Sequence, residues 1–203
     1  MRRPKLALVA AAALFALTGC AGLRPGVAAE IGDRQITIEQ LDDFAATFCK
    51  YLSVGQPGAK NSKLVRQGAL VTMVQARLGD LYREGDDTII DRETVESNLA
   101  GVKAAVADLP EAEQESFLDE VSYFLESTQS LAQAGDAAAQ EELLAELVDE
   151  YDVELDPRFG TWDEIRSEEA VAVSGSLSVP LEPGEFDPND QTSGLNASQT
   201  CGG

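Results

Sequence analysis

The chain has 203 residues, 44% hydrophobic and 25% charged, a balance typical of a folded globular protein. Its 36 acidic and 15 basic residues give a net charge of −21, which disfavours nucleic-acid binding because phosphate contacts need lysine and arginine. The absence of histidine excludes histidine-dependent catalytic triads, histidine-ligated metals and imidazole acid–base chemistry. No phosphate-binding loop is present either. We therefore expect a protein that is not an enzyme and that holds no cofactor and no metal.

The N-terminal segment has the features of a signal peptide. Arg2, Arg3 and Lys5 precede an uninterrupted apolar run of 12 residues, 6–17. A run of this length suits the apolar core of a signal peptide and is shorter than the roughly 20 residues of a membrane-spanning helix. The sequence therefore predicts that residues 1–19 direct export and are then removed.

The apolar run ends in Leu17-Thr18-Gly19-Cys20, which resembles the lipobox of bacterial lipoproteins. The resemblance implies cleavage before Cys20 and a lipid attached to its thiol, so that residues 20–27 become a lipidated tether. The expected location is the extracytoplasmic face of the cell membrane, with the lipid, palmitate included, as the only membrane contact. Cleavage elsewhere, for example after Ala21, is the alternative.

The other two cysteines, Cys49 and Cys201, would then lie in an oxidising compartment. A disulfide between them would join the end of the chain to an early helix. The alternative is a buried Cys49 and a free Cys201. We favour the disulfide because a lone cysteine in a glycine- and serine-rich tail has no other evident use.

The middle of the chain has the apolar spacing of about five helices, preceded by a small hairpin that turns at Gly32-Asp33. Thr37 and Gln40 form a capping box at the start of the first helix. Residues 53–62 break this helix, and a central, most buried helix is expected over about 63–83. A third helix starts near Asp91.

The fourth helix is expected to start at Pro110, a residue favoured in a first helical turn. Its inward stripe is predicted to include Phe117 and Thr128. The last helix follows Gly135-Asp136 and ends at about Tyr151.

Val153 and Leu155 alternate with acidic residues, which is the period of a half-buried strand. Since a lone strand must pair, we expect it to pair with the segment 28–36, with Phe159 and Trp162 fastening it to the helices. The fold class is then mainly α, a bundle of about five helices closed by a small sheet of N-terminal and C-terminal strands. Its domain covers 28–164, and 165–203 is an acidic extended tail.

Sixteen acidic residues and no basic one occur between positions 104 and 157. A solvated acidic helix surface is the preferred interpretation, and a surface for basic clients or cations is the alternative. Asp152, Glu154 and Asp156 have the spacing of a calcium loop. Pro157 occupies the position where that loop requires glycine, so no calcium site is predicted.

Three segments together resemble the SurA-like and trigger-factor-like extracytoplasmic chaperones. They are 28–37 (AAEIGDRQIT), 70–78 (LVTMVQARL) and 156–162 (DPRFGTW), the last similar to a closing strand of actinobacterial lipoproteins in this group. The resemblance covers roughly 27–164. Many relatives contain a parvulin prolyl-isomerase domain, which uses histidines that this chain lacks. The resemblance therefore implies the chaperone domain alone, without isomerase activity.

Two functions are compatible with this sequence. The first is a membrane-anchored holdase or folding helper that binds unfolded exported polypeptides. The second is a cell-envelope interaction protein with one dedicated protein partner. An exposed apolar groove would favour the first function, and a polar surface would favour the second.

Overall fold

The fold is described from a computed structural model, over residues 24–55, 58–85, 89–166, 192, 195–196 and 198–201. Its helices are α1 (Ile38–Gly55), α2 (Ser62–Gly85), α3 (Arg92–Ala105), α4 (Glu111–Ala132), α5 (Ala137–Glu150) and α6 (Trp162–Arg166). Its strands are β1 (Val27–Ile31), β2 (Arg34–Thr37), β3 (Lys60–Asn61), β4 (Glu154–Leu155) and β5 (Thr200–Cys201). The architecture is mainly helical, as the apolar spacing predicts.

The three-stranded antiparallel sheet has the order β2-β1-β4 and confirms the predicted pairing of the two ends of the domain. The turn between β1 and β2 has Gly32 at its first central position, with a φ of +58° that favours glycine. Ala29 lies opposite Ile36 on one side and opposite Leu155 on the other. Four of the five residues of β1 are buried, and Ile36 is the buried residue of β2.

Local side-chain caps start the helices where the sequence indicates. Gln40 accepts a hydrogen bond from the Thr37 amide (2.9 Å), and the Thr37 hydroxyl accepts one from the Gln40 amide (3.1 Å). Asp91 and Asp136 cap α3 and α5 by accepting hydrogen bonds from first-turn amides. Pro110 immediately precedes α4, so the helix begins one residue later than expected.

The central helix is α2, which packs against α1, α4, α5, α6 and the sheet strands. Its backbone lies close to α4 at Gly79. A Cβ built there would lie 2.7 Å from the Ser127 carbonyl oxygen, so a larger residue would force the two helices apart. The close contact of the two helices therefore depends on glycine at position 79, next to the small, buried Ser127.

Two details differ from the sequence-based expectations. Thr128 is exposed, and the buried polar residues on its helix are Ser127 and Ser130 instead. The prediction for Thr128 was wrong because the apolar stripe assumed for α4 was displaced by one residue from the side that faces Gly79. The body also continues beyond 164: Ile165 is buried, and Arg166 binds Glu141 at 2.6 Å.

The segment expected only to interrupt the first two helices contains a strand. Lys60 and Asn61 in β3 pair with Cys201 and Thr200 in β5, which forms a second, two-stranded sheet. Cys49 and Cys201 are joined in a disulfide, the pairing expected from the sequence, with their Cα atoms 6.3 Å apart. The end of the tail is thus attached to the bundle and is not a free extension.

The predicted signal peptide, 1–19, and Cys20 lie outside the described residues. Within the part of the chain that is described, no helix is both long enough and apolar enough to cross a membrane.

Candidate interaction groove

An open groove of about 570 Å³ lies where β2 and the start of α1 meet α2 and α4. Its lining comes from four elements and is polar or charged. The lining residues include Arg34, Gln35, Gln40, Arg77, Asp119 and Tyr123. The hairpin supplies Arg34 and Gln35 because they follow directly after the tight turn at Gly32.

One wall of the groove includes Arg34 and Tyr123, which belong to a network around the carboxylate of Asp80, a residue that is 8% exposed. Arg34 donates hydrogen bonds to Asp80 (2.6 Å) and to the Tyr123 hydroxyl (3.0 Å). Its other terminal nitrogen donates to Glu84 (2.6 Å), and Arg83 also donates to Asp80. These contacts hold the hairpin against both α2 and α4.

The environment of this wall shifts the pKa values of Asp80 and Tyr123 in opposite directions. Burial would raise the pKa of Asp80, but hydrogen bonds from Tyr123 and Arg34 outweigh burial and lower that pKa below its ordinary value. Burial, together with its hydrogen bond to Asp80, raises the pKa of Tyr123 to about 12. At neutral pH Asp80 is therefore ionised and Tyr123 is neutral. The two groups together do not form a proton donor and acceptor pair that titrates near pH 7.

Arg77 on α2 forms the other wall. It donates two hydrogen bonds to Glu120 on α4, at 2.9 and 3.1 Å. Its guanidinium also lies over the Tyr123 ring, 4.5 Å from the ring centre. Arg77 is thus fixed by a fork-shaped carboxylate contact and by an aromatic face, which leaves little of it for a ligand.

The acidic stretch of residues 104–157 is partly neutralised by cations from other parts of the fold. Five of its sixteen acidic residues pair with cations that lie outside the stretch or, for Asp156, at its border. The pairs are Lys50–Glu113, Arg77–Glu120, Arg83 and Arg92–Glu126, Arg166–Glu141 and Arg158–Asp156. The remaining acidic residues keep this part of the surface strongly negative.

Inside the groove the unbalanced charge is negative. Arg34 and Arg77 are both paired with carboxylates of the same chain. Asp119, exposed on α4, forms no ion pair with any residue that the structure describes. A basic group is therefore the charged ligand that this groove favours.

Exposed apolar surface is sparse over the described residues. Val54 (60% exposed) and Ile89 (83% exposed) are the large hydrophobic side chains found there in mostly exposed positions. Phe48 and Tyr51 stack in a row of aromatic rings with Phe44 and Phe117, which withdraws most of their surface from solvent. The groove itself is lined by polar side chains.

The residues singled out in the sequence do not converge on this groove. Cys49 and Cys201 form their disulfide at the second sheet, and Cys20 is outside the described residues. The described chain also contains no group of three or more histidine, cysteine or carboxylate residues placed to hold a metal ion. Asp156, from the calcium-loop pattern, instead accepts hydrogen bonds from the backbone and side chain of Arg158.

Sequence reasoning missed the groove because its lining residues come from separated parts of the chain. One signal was available: Arg77 and Arg83 interrupt the apolar spacing of the most buried helix. Cations on a largely buried helix need carboxylate partners, and the acidic fourth helix offered them.

The fold and the groove define a class, a helical bundle closed by an antiparallel sheet and carrying an open groove lined by polar and charged residues. Comparison with family models, with curated proteins and with solved structures finds no match for this chain.

Proposed function

We propose that this protein is an extracytoplasmic lipoprotein, anchored at Cys20, whose helical domain binds one dedicated protein partner at the cell envelope and catalyses no reaction. The observation that carries the proposal is that the groove is lined by polar and charged residues and that large exposed hydrophobic side chains are sparse in the described chain. A holdase must offer apolar surface to unfolded chains. Here the large exposed hydrophobic residues of the described chain are Val54 and Ile89 alone.

The lipid anchor in this proposal rests on the resemblance of 17–20 to a lipobox, and the SurA-like resemblance supplies a hypothesis for the ancestry of the domain. With residues 1–19 removed, 12 basic and 36 acidic residues remain, a net charge of 12 − 36 = −24. Such a body is repelled by anionic headgroups, so the lipid has to supply the membrane affinity. The partner would then be bound next to the membrane rather than in it.

Formaldehyde crosslinking in intact cells tests the proposal. We expect the wild-type protein to fractionate with membranes and to give a discrete crosslinked species of higher mass. Cys20→Ala should release the protein from the membrane and abolish that species. A broad smear of crosslinked products, or unchanged membrane fractionation of Cys20→Ala, would contradict the proposal.

The holdase alternative is tested by light scattering of an aggregating model client mixed with the full chain. We expect no suppression of aggregation by the native protein. Suppression at near-stoichiometric ratios, lost after heat denaturation of the protein, would replace the dedicated-partner function with a general holdase.

A further inference from the structure

The edge strand β2 has an unpaired side next to the groove. In the order β2-β1-β4, β1 is the one strand among the described residues that pairs with β2. An edge strand presents backbone N–H and C=O groups that can pair with another extended chain.

The direction of those groups follows from hydrogen bonds on the paired side. The two-residue turn pairs Arg34 with Ile31, and the Ile38 amide donates to the Gly26 carbonyl at 2.8 Å. Backbone polar groups of alternate residues point to opposite sides of an antiparallel strand. Gln35 lies between Arg34 and Ile36, whose backbone N–H and C=O groups face β1. The N–H and C=O of Gln35 therefore face the open side of β2.

The open side of β2 continues into the groove. Gln35 is exposed and is itself a lining residue, and its amide donates to no acceptor in the part of the chain that is described. The next outward amide, that of Thr37, is already used by Gln40. Gln35 is thus the position on β2 where both backbone groups remain available to a ligand.

We propose that an extended segment of the protein partner binds in this groove by pairing its backbone with Gln35 and placing a lysine or arginine side chain at Asp119. This inference rests on the proposed function, since it names the site and the chemistry of the same partner. Strand addition supplies affinity through main-chain hydrogen bonds, and side-chain contacts supply selectivity.

The preference for a basic side chain follows from the charged residues that line the groove. Arg34 is held by Asp80 and Glu84, and Arg77 by Glu120, so neither arginine is available to an acidic ligand. Asp119 has no such partner among the described residues. The net charge of −21 also favours the approach of a positively charged segment.

The proposal is tested with fluorescently labelled heptapeptides in which valine and threonine alternate around a central arginine or glutamate. Fluorescence anisotropy would measure their binding to the full-length protein in detergent micelles. We expect the arginine peptide to bind about tenfold more tightly than the glutamate peptide, because Asp119 attracts the central charge of the first and repels that of the second. Absence of saturable binding up to about 1 mM would overturn the proposal.

Two variants of one residue separate backbone pairing from side-chain contact. Gln35→Pro removes the outward N–H without removing a hydrogen bond to β1, and proline is tolerated on edge strands. Gln35→Ala removes only the side chain. We expect the proline variant to bind the arginine peptide about fivefold more weakly, the equivalent of one hydrogen bond, and the alanine variant to bind as wild type does. Equal affinities of the two variants would overturn strand addition.

Asp119→Asn provides a test that does not depend on the folding of the proline variant. It should remove the difference between the arginine and glutamate peptides, and an unchanged difference would overturn the assignment of Asp119. A discrete cellular partner that crosslinks equally to wild type and to Gln35→Pro would also overturn this inference, while leaving the proposed function intact.

Discussion

The two small sheets attach the ends of the chain to the helices by different means. In the three-stranded sheet, β1 and β2 bury apolar side chains against the bundle, and Ile31 and Ile36 are fully buried. In the two-stranded sheet, β3 and β5 have two residues each, and the Cys49–Cys201 disulfide joins them to α1. The difference teaches that an end with enough apolar residues is held by burial, whereas a glycine- and serine-rich end needs a covalent bond.

The largest expected effect comes from breaking the covalent attachment. Cys201→Ala opens a loop of 152 residues in sequence separation. The chain-entropy model gives about 5 kcal/mol as the upper figure for the loss of unfolding free energy. Urea denaturation would measure it, and a reducing agent should bring wild type to the stability of the variant. A variant as stable as oxidised wild type would show that the disulfide contributes nothing.

The apolar attachment is tested by Ile31→Ala. Ile31 is 0% exposed, so the truncation leaves a cavity under β1 and should lower the unfolding free energy by about 2–5 kcal/mol. The matched control is Ile89→Ala, the same change at a residue that is 83% exposed, with an expected effect within about 0.5 kcal/mol. Similar losses for the two variants in urea denaturation would contradict the burial account of this sheet.

We expect a smaller loss of stability from a substitution in the turn of the first sheet. Gly32 has a φ of +58°, and a Cβ there would lie 3.3 Å from the Tyr151 ring, so Gly32→Ala should cost about 1–3 kcal/mol. Gly101→Ala is the control: Gly101 lies within α3 with open space around it, and alanine there should stabilise the protein by about 0.5–1 kcal/mol. Thermal unfolding of both variants should therefore show shifts of opposite sign.

The smallest expected effect concerns pH and the chain next to β4. The hydrogen bond from the Arg158 side chain lowers the pKa of Asp156 from its ordinary 3.8 to about 2. A lowered pKa in the folded state stabilises the protein above the ordinary value, and this contribution is lost as the pH falls from about 4 to about 2. Asp156→Asn and Arg158→Gln should each remove this part of the acid dependence in urea denaturation measured across that range. Unchanged acid profiles would exclude the pair as its source.

Much of the fold could be predicted from the sequence because its signals are local. The capping box at Thr37 and the caps at Asp91 and Asp136 involve residues within a few positions of one another. The burial of Phe159 and Trp162 followed from large aromatic residues next to a strand that had to pair. In these cases the neighbouring sequence already contained the reason for the structure.

The candidate groove could not be predicted, because its contacts join residues that are far apart in the chain. Arg34 reaches Asp80 across 46 positions and Tyr123 across 89. The close approach of Gly79 to Ser127 depends on how α2 and α4 cross. The predicted helical period around Thr128 was right, but the predicted buried side was displaced by one residue. Only the crossing of α2 and α4 decides which side of α4 faces the core.

The sequence by itself determined the helices, the hairpin and the closing strand, and it favoured the pairing of Cys49 with Cys201, because caps, periodicity and the number of remaining cysteines are properties of the chain. Only the tertiary structure decided that Arg34 and Arg77 are paired with carboxylates, that Asp119 has no ion pair among the described residues, and that Gln35 faces an open groove. The physical reason is that charge balance and exposure are set by neighbours in space, and folding chooses those neighbours.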